Sequence, residues 1–290
     1  MNLLCTYRPG RPTLEQLLRR IDDISTLPQV ALRVMQVASD PNSSAADLKE
    51  VMECDAALSA RVLRCVNSSA YALRTKITNL QQAIAYLGLK QIRNLAMTAS
   101  VSELFKKEQQ IGSYSRTGLW KHLVSVGICA RMIAMRRKMA NFEDAFLGGL
   151  LHDIGIILLD QYAHAGFREV VQQLRPEETL LETERRIFGY DHTAVGEKVA
   201  EGWKFPEELR QMIRWHHQTA ACKGEAALLV ACVETANVIC TLKGIPAMGK
   251  NLVRFSQAAI AILQLTREDI AVLAEDLDRE TEKSIALFQL

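Results

Sequence analysis

Phe146-Leu-Gly-Gly-Leu-Leu-His152-Asp153-Ile-Gly-Ile-Ile-Leu-Leu159 is an apolar run whose ionisable residues, His152 and Asp153, are adjacent. A helix that is hydrophobic on every side is buried. A carboxylate in such surroundings must be neutralised or matched by a cation, because an unpaired buried charge is costly. The pair therefore needs partners from elsewhere in the chain, and a metal ion is an efficient one.

Other histidines supply candidates. His122 shares a helical stripe with Val126, Cys129 and Ile133, so its ring points inward. His216 completes a stripe with Leu209, Met212 and Ile213, and His217 follows it directly. His192 stands just after Asp191, which suits a helix N-cap. Brought together with Asp153, these five imidazoles make a nitrogen and oxygen site suited to one or two divalent ions, whether iron, manganese or zinc. His164, in a polar stretch expected to be a loop, reads as a bystander. Each histidine also has a plainer reading. A lone imidazole on an apolar face is commonly a hydrogen-bonded core residue, His216 and His217 also suit a helix C-terminus, and His192 also suits an exposed first turn. His152 and Asp153 could simply satisfy each other.

Working outward from this centre, helical periodicity dominates and strand-type alternation is nearly absent. Ala31, Val34, Met35 and Ala38 mark one helix, stopped by Asp40-Pro41. Ser44 with Asp47 reads as a capping box, and Asp55 as the cap of a helix carrying Leu58, Val62 and Val66. Thr78 and Gln81 are expected to open a helix with Leu80, Ile84 and Leu87 inward, ended by Gly88, with a longer one over 89–104 after it. The polar stretch Lys106 to Gly118 reads as a connection between lobes. Helices are then expected over 119–137, 143–161, 176–188, 191–203, 206–217 and 225–242, followed by a hinge over 243–251 and a final helix capped by Thr266 and Asp269. The expected fold is all-α, with an amino-terminal helical lobe over 13–110, a second lobe over 111–242 and a carboxy-terminal extension over 243–290.

Whole-chain properties exclude some classes. The 290 residues allow one large domain or two modest ones, and 35 Lys+Arg against 33 Asp+Glu give a net charge of +2. No global field draws the chain to nucleic acid or to an anionic membrane. The seven cysteines, at 5, 54, 65, 129, 222, 232 and 240, are odd in number and form no CxxC pair, the pattern of a reducing compartment. The first ten residues lack the apolar run of a signal peptide, and the apolar stretch 226–242 is interrupted by Glu234 and Asn237. The expected location is cytoplasmic. Arg131, Arg136, Arg137 and Lys138 cluster near a helix end, where they suit the helix dipole better than a DNA backbone, so direct nucleic-acid binding is not expected.

The order His122, His152-Asp153, His192, His216-His217 resembles the HD superfamily of metal-dependent phosphohydrolases, including the HD-GYP cyclic-dinucleotide phosphodiesterases. Upstream, Leu27-Pro-Gln-Val, the segment Asp55 to Ser68 and Ala83-Ile-Ala-Tyr-Leu-Gly88 are similar to the amino-terminal signature of HDOD domains. With Leu150-Leu-His-Asp-Ile-Gly155, this resemblance spans about residues 15 to 240. It implies an all-α fold and a role in bacterial signal transduction, usually without demonstrated catalysis. It also implies that His122, His152 and Asp153 match one metal site, and that Asp153, His192, His216 and His217 match a second.

Three departures bear on the chemistry. Where catalytic members of the superfamily have an aspartate closing the first site, this chain has Asn237, a neutral and weaker ligand. Ile156 replaces a lysine that could stabilise a phosphate, and Gln218-Thr-Ala-Ala stands in place of the Gly-Tyr-Pro signature. The expected function is regulatory, acting through signalling proteins or a nucleotide second messenger. The competing expectation is a metal-dependent phosphohydrolase in which His152 and Asp153 serve catalysis.

Overall fold

Short polar side chains placed ahead of apolar runs start most of the helices, because they satisfy backbone N–H groups that the first turn leaves unpaired. The protein is a computed structural model describing residues 11–22, 27–68, 71, 73, 75–248 and 255–289. The amino-terminal ten residues, with Cys5, and positions 249–251 of the expected hinge lie outside them. The first six helices are α1 (Leu14–Asp22), α2 (Gln29–Ser39), α3 (Ala45–Glu53), α4 (Ala56–Val66), α5 (Leu80–Leu87) and α6 (Leu89–Val101). Ser44 and Asp47 form the capping box of α3, and Asp55 accepts from the Leu58 N–H at the head of α4. At α5 the expectation is corrected: Asn79 is the N-cap, accepting from the Gln82 N–H, and Leu87 is half-buried rather than inward.

The connection expected over 106–118 contains a small antiparallel hairpin of β1 (Gln110–Ile111) and β2 (Tyr114–Ser115), turned at Gly112 with φ 54°. Then come α7 (Arg116–Arg136), α8 (Phe142–Leu151) and α9 (Ile154–Tyr162). The single helix expected over 143–161 is therefore two, separated by the His152-Asp153 pair, where Asp153 takes φ −100° and ψ 18°. His164 is not in a loop; it begins α10 (His164–Gln173) and hydrogen-bonds the buried Asp160. α11 (Leu180–Phe188) starts later than Pro176, at a capping box of Thr179 and Glu182. The remaining helices are α12 (His192–Gly202), α13 (Glu207–Trp215), α14 (Ala226–Leu242), α15 (Gln257–Leu263), α16 (Arg267–Lys283) and α17 (Ile285–Phe288).

The fold is all-α apart from the hairpin, and its buried apolar residues form a continuous cluster running from Leu17 to Leu287. α7 lies at its centre, packed against α8 and α14. That approach is close: a Cβ on Gly149 would sit 2.7 Å from the Val126 carbonyl oxygen. α1 packs against α9 and α12, while the following helices meet the rest where α6 packs against α8; there Arg93, with a side chain only 3% exposed, pairs with Asp144 at 2.9 Å. Among the described residues no helix is long and apolar enough to cross a membrane.

Candidate metal centre

The break between α8 and α9 sets the geometry of the centre. Adjacent residues on an unbroken α-helix point about 100° apart, so His152 and Asp153 would diverge if the helix ran through. The break lets both face one interior point, bringing His152 Nε2 to 3.2 Å from Asp153 Oδ2. α7 delivers His122, whose Nε2 lies 3.7 Å from the same oxygen. The other carboxylate oxygen, Oδ1, is met by His192 Nε2 at 3.1 Å, from the first turn of α12, and by His216 Nε2 at 3.1 Å, from the end of α13. His217 closes the group, its Nε2 3.2 Å from that of His192. The sequence-predicted residues thus converge, and their ligand atoms form two sets sharing Asp153: His122, His152 and Asp153, and Asp153, His192, His216 and His217.

Ring orientation separates a metal site from a group of core histidines. A carbonyl can only accept, so each ring facing one carries its hydrogen on Nδ1. His122 Nδ1 donates to the Ile245 carbonyl at 2.6 Å, His152 Nδ1 to Gly149 at 2.7 Å and His216 Nδ1 to Ile213 at 2.8 Å. Their Nε2 atoms therefore present lone pairs toward a carboxylate, acceptor against acceptor. Such an arrangement becomes favourable when a cation lies between them. His122 Nε2, His152 Nε2 and Asp153 Oδ1 are buried without a hydrogen-bond partner, so the donor set fits a divalent ion.

Burial, followed by the neighbouring His152, pulls His122 down to about 4, and burial likewise pulls His216 to about 4. Burial, then His216, holds His217 well below its ordinary value. All three rings are thus neutral at pH 7, the form that binds metal. Burial also acts against protonation of His192, but the carboxylates of Glu184 and Asp153 outweigh it and hold that ring well above the ordinary range.

Asn237 does not lie remote from the centre. It lines a cleft of about 540 Å³ together with Asp153, His216 and His217. The same cleft carries Glu177, Glu182 and Glu234, and Arg185 is the one cation among its described lining residues. Arg185 is itself paired with Asp191 at 2.6 Å. Ile156 is fully buried and does not reach this cleft.

Glu184 was missed by reasoning from the sequence. Its carboxylate, fully buried on α11, accepts from both the backbone N–H of His192 at 2.9 Å and Nδ1 of its ring at 2.7 Å. A signal was present, since Glu184 falls on the inward stripe of Leu180, Leu181 and Ile187. Missed too was the Ile245 carbonyl, which anchors His122 from beyond α14 and left no mark in the side-chain pattern.

Helical architecture and an interior centre of five imidazoles on one aspartate place the chain among HD-type helical proteins. It belongs to the HDOD domain family, which matches residues 24–219. It is 26% identical to an HDOD domain protein of unknown function from Geobacter sulfurreducens, covering 94% of this chain and 96% of that one, with a TM-score of 0.78. It is 25% identical to a protein from Marinobacter aquaeolei VT8 assigned to signal transduction, covering 97% of this chain and 62% of that one, with a TM-score of 0.79. An uncharacterized protein of Treponema pallidum (strain Nichols) is 24% identical over 229 residues, which cover 76% of this chain and 42% of that relative. The chain therefore spans less than half the length of this curated relative.

Proposed function

We propose that the chain is a signal-transduction module whose HD-type centre holds a divalent ion and whose surfaces bind signalling proteins, with phosphoester hydrolysis lost. The observation that carries this reading is the furnishing of the cleft beside the centre. It offers Asn237, three glutamates and one arginine already tied to Asp191, whereas phosphoryl transfer needs positive groups aimed at the oxygens where charge develops. A bound ion would supply Lewis acidity and hold the imidazoles in place. The protein's own residues supply little else for the chemical step. The cleft can still seat a small ligand, so a nucleotide second messenger bound without turnover is part of this reading.

The test is turnover. Manganese-loaded protein is expected to hydrolyse neither cyclic dinucleotides nor a simple phosphodiester faster than metal-stripped protein does. Hydrolysis that vanishes in His152→Ala would overturn the proposal in favour of a metal-dependent phosphohydrolase. That second reading has its own support in the way the cleft reaches Asp153, His216 and His217. Activity gained by Asn237→Asp would mark the chain as a decayed enzyme.

A further inference from the structure

The two halves of the centre are not equivalent. The half around Asp153 Oδ1 has three imidazoles, with Nε2 atoms of His192 and His216 3.4 Å apart and those of His192 and His217 3.2 Å apart. The half around Oδ2 has two imidazoles, one of them 3.7 Å from the oxygen, and the nearby Asn237 adds only a neutral amide. Anchoring differs as well. His122, His152 and His216 are oriented by neutral backbone carbonyls, but His192 is oriented by the carboxylate of Glu184.

We propose that Glu184 is a positioning residue that makes the half formed by Asp153, His192, His216 and His217 the tighter one, so that the chain takes up one divalent ion firmly and a second only weakly. The inference rests on the metal-holding reading proposed above.

Charge balance is the physical reason. Glu184 and Asp153 contribute two buried negative charges, and a single divalent ion cancels them. A second ion at His122 and His152 would leave two positive charges in the interior, where uncompensated charge is costly. An aspartate at position 237 would reduce that excess; Asn237 does not. Glu234 lines the cleft but is partly committed elsewhere, its Oε2 accepting from the Thr219 N–H at 3.1 Å. Glu184 also acts through geometry. By holding both the backbone and the ring of His192 it fixes the direction of Nε2, and its negative charge makes the ring a stronger donor.

The experiment is titration of the metal-stripped full chain with Mn²⁺ alone. Calorimetry gives stoichiometry and affinity, and electron paramagnetic resonance distinguishes isolated from coupled ions. Wild type is expected to bind one ion tightly with an isolated-ion spectrum. Glu184→Gln, shown to be folded by its circular dichroism, is expected to bind about 10- to 100-fold more weakly. Asn237→Asp, which needs no change at Glu184, is expected to gain a second, coupled ion. Two ions of like affinity in wild type, undiminished affinity in folded Glu184→Gln, or no second ion in Asn237→Asp would each overturn the inference while leaving the regulatory reading intact. Failure of every form to bind Mn²⁺ would overturn both.

Discussion

Gly155 lies directly against the backbone of His192, so closely that a Cβ added there would fall 2.0 Å from the His192 carbonyl oxygen. The glycine after the His-Asp pair is thus the contact that lets α9 reach the first turn of α12. Gly155→Ala is expected to separate these helices and destabilise the fold by about 1–3 kcal/mol, as overpacking commonly does. Urea unfolding with metal analysis checks this. Wild-type stability together with full metal content would contradict it.

Metal uptake should tighten as pH rises through neutrality. His192 is held protonated by Glu184 and Asp153 against the effect of burial, and an ion arriving at Nε2 must displace that proton. Calorimetry in buffers of different ionisation enthalpy should register release of about one proton per ion. Binding without proton release would show that the ion enters elsewhere.

Asp191 links the centre to acid stability. Burial would raise its carboxyl, but hydrogen bonds from Thr193 and the Ala194 N–H, helped by His192 and Arg185, bring it down to about 2 from an ordinary 3.8. A depressed carboxyl contributes stability that is present above pH 3.8 and lost as pH falls toward about 2. Asp191→Asn retains a capping oxygen but not the charge. Thermal melts between pH 2 and 4, a window set by those two values, should therefore show a flatter pH dependence for the variant than for wild type.

Removing one partner from the α6–α8 junction should be costly. Arg93 is almost fully buried and shares Asp144 with Lys90. Asp144→Asn removes the negative charge that faces the buried guanidinium and leaves only neutral amide oxygens to accept from it, and a loss of about 2–4 kcal/mol is expected in chemical denaturation. A loss within error of zero would mean that water reaches Arg93.

Much of this was legible in the chain itself. Caps at Ser44, Asp55 and Thr266 announced their helices, since a short polar side chain before an apolar run has few other uses. Convergence on Asp153 could be expected because His122 and His216 sit on inward stripes and a buried carboxylate demands partners. The break at the His152-Asp153 pair was hidden, because an unbroken apolar run carries no punctuation. α10 was hidden for the opposite reason: its polar face outweighs Phe167 and Val170, which face the core. Glu184 escaped notice because a glutamate within a charged helix looks solvated until its stripe is traced.

Three of the four anchors that aim these rings are main-chain oxygens, those of Ile245, Gly149 and Ile213. A point substitution can change the residue bearing such an oxygen but cannot delete the oxygen. Ring orientation at this centre is thereby insulated from sequence drift so long as the helices keep their paths. The fourth anchor, a carboxylate, is the one that a single codon change can erase.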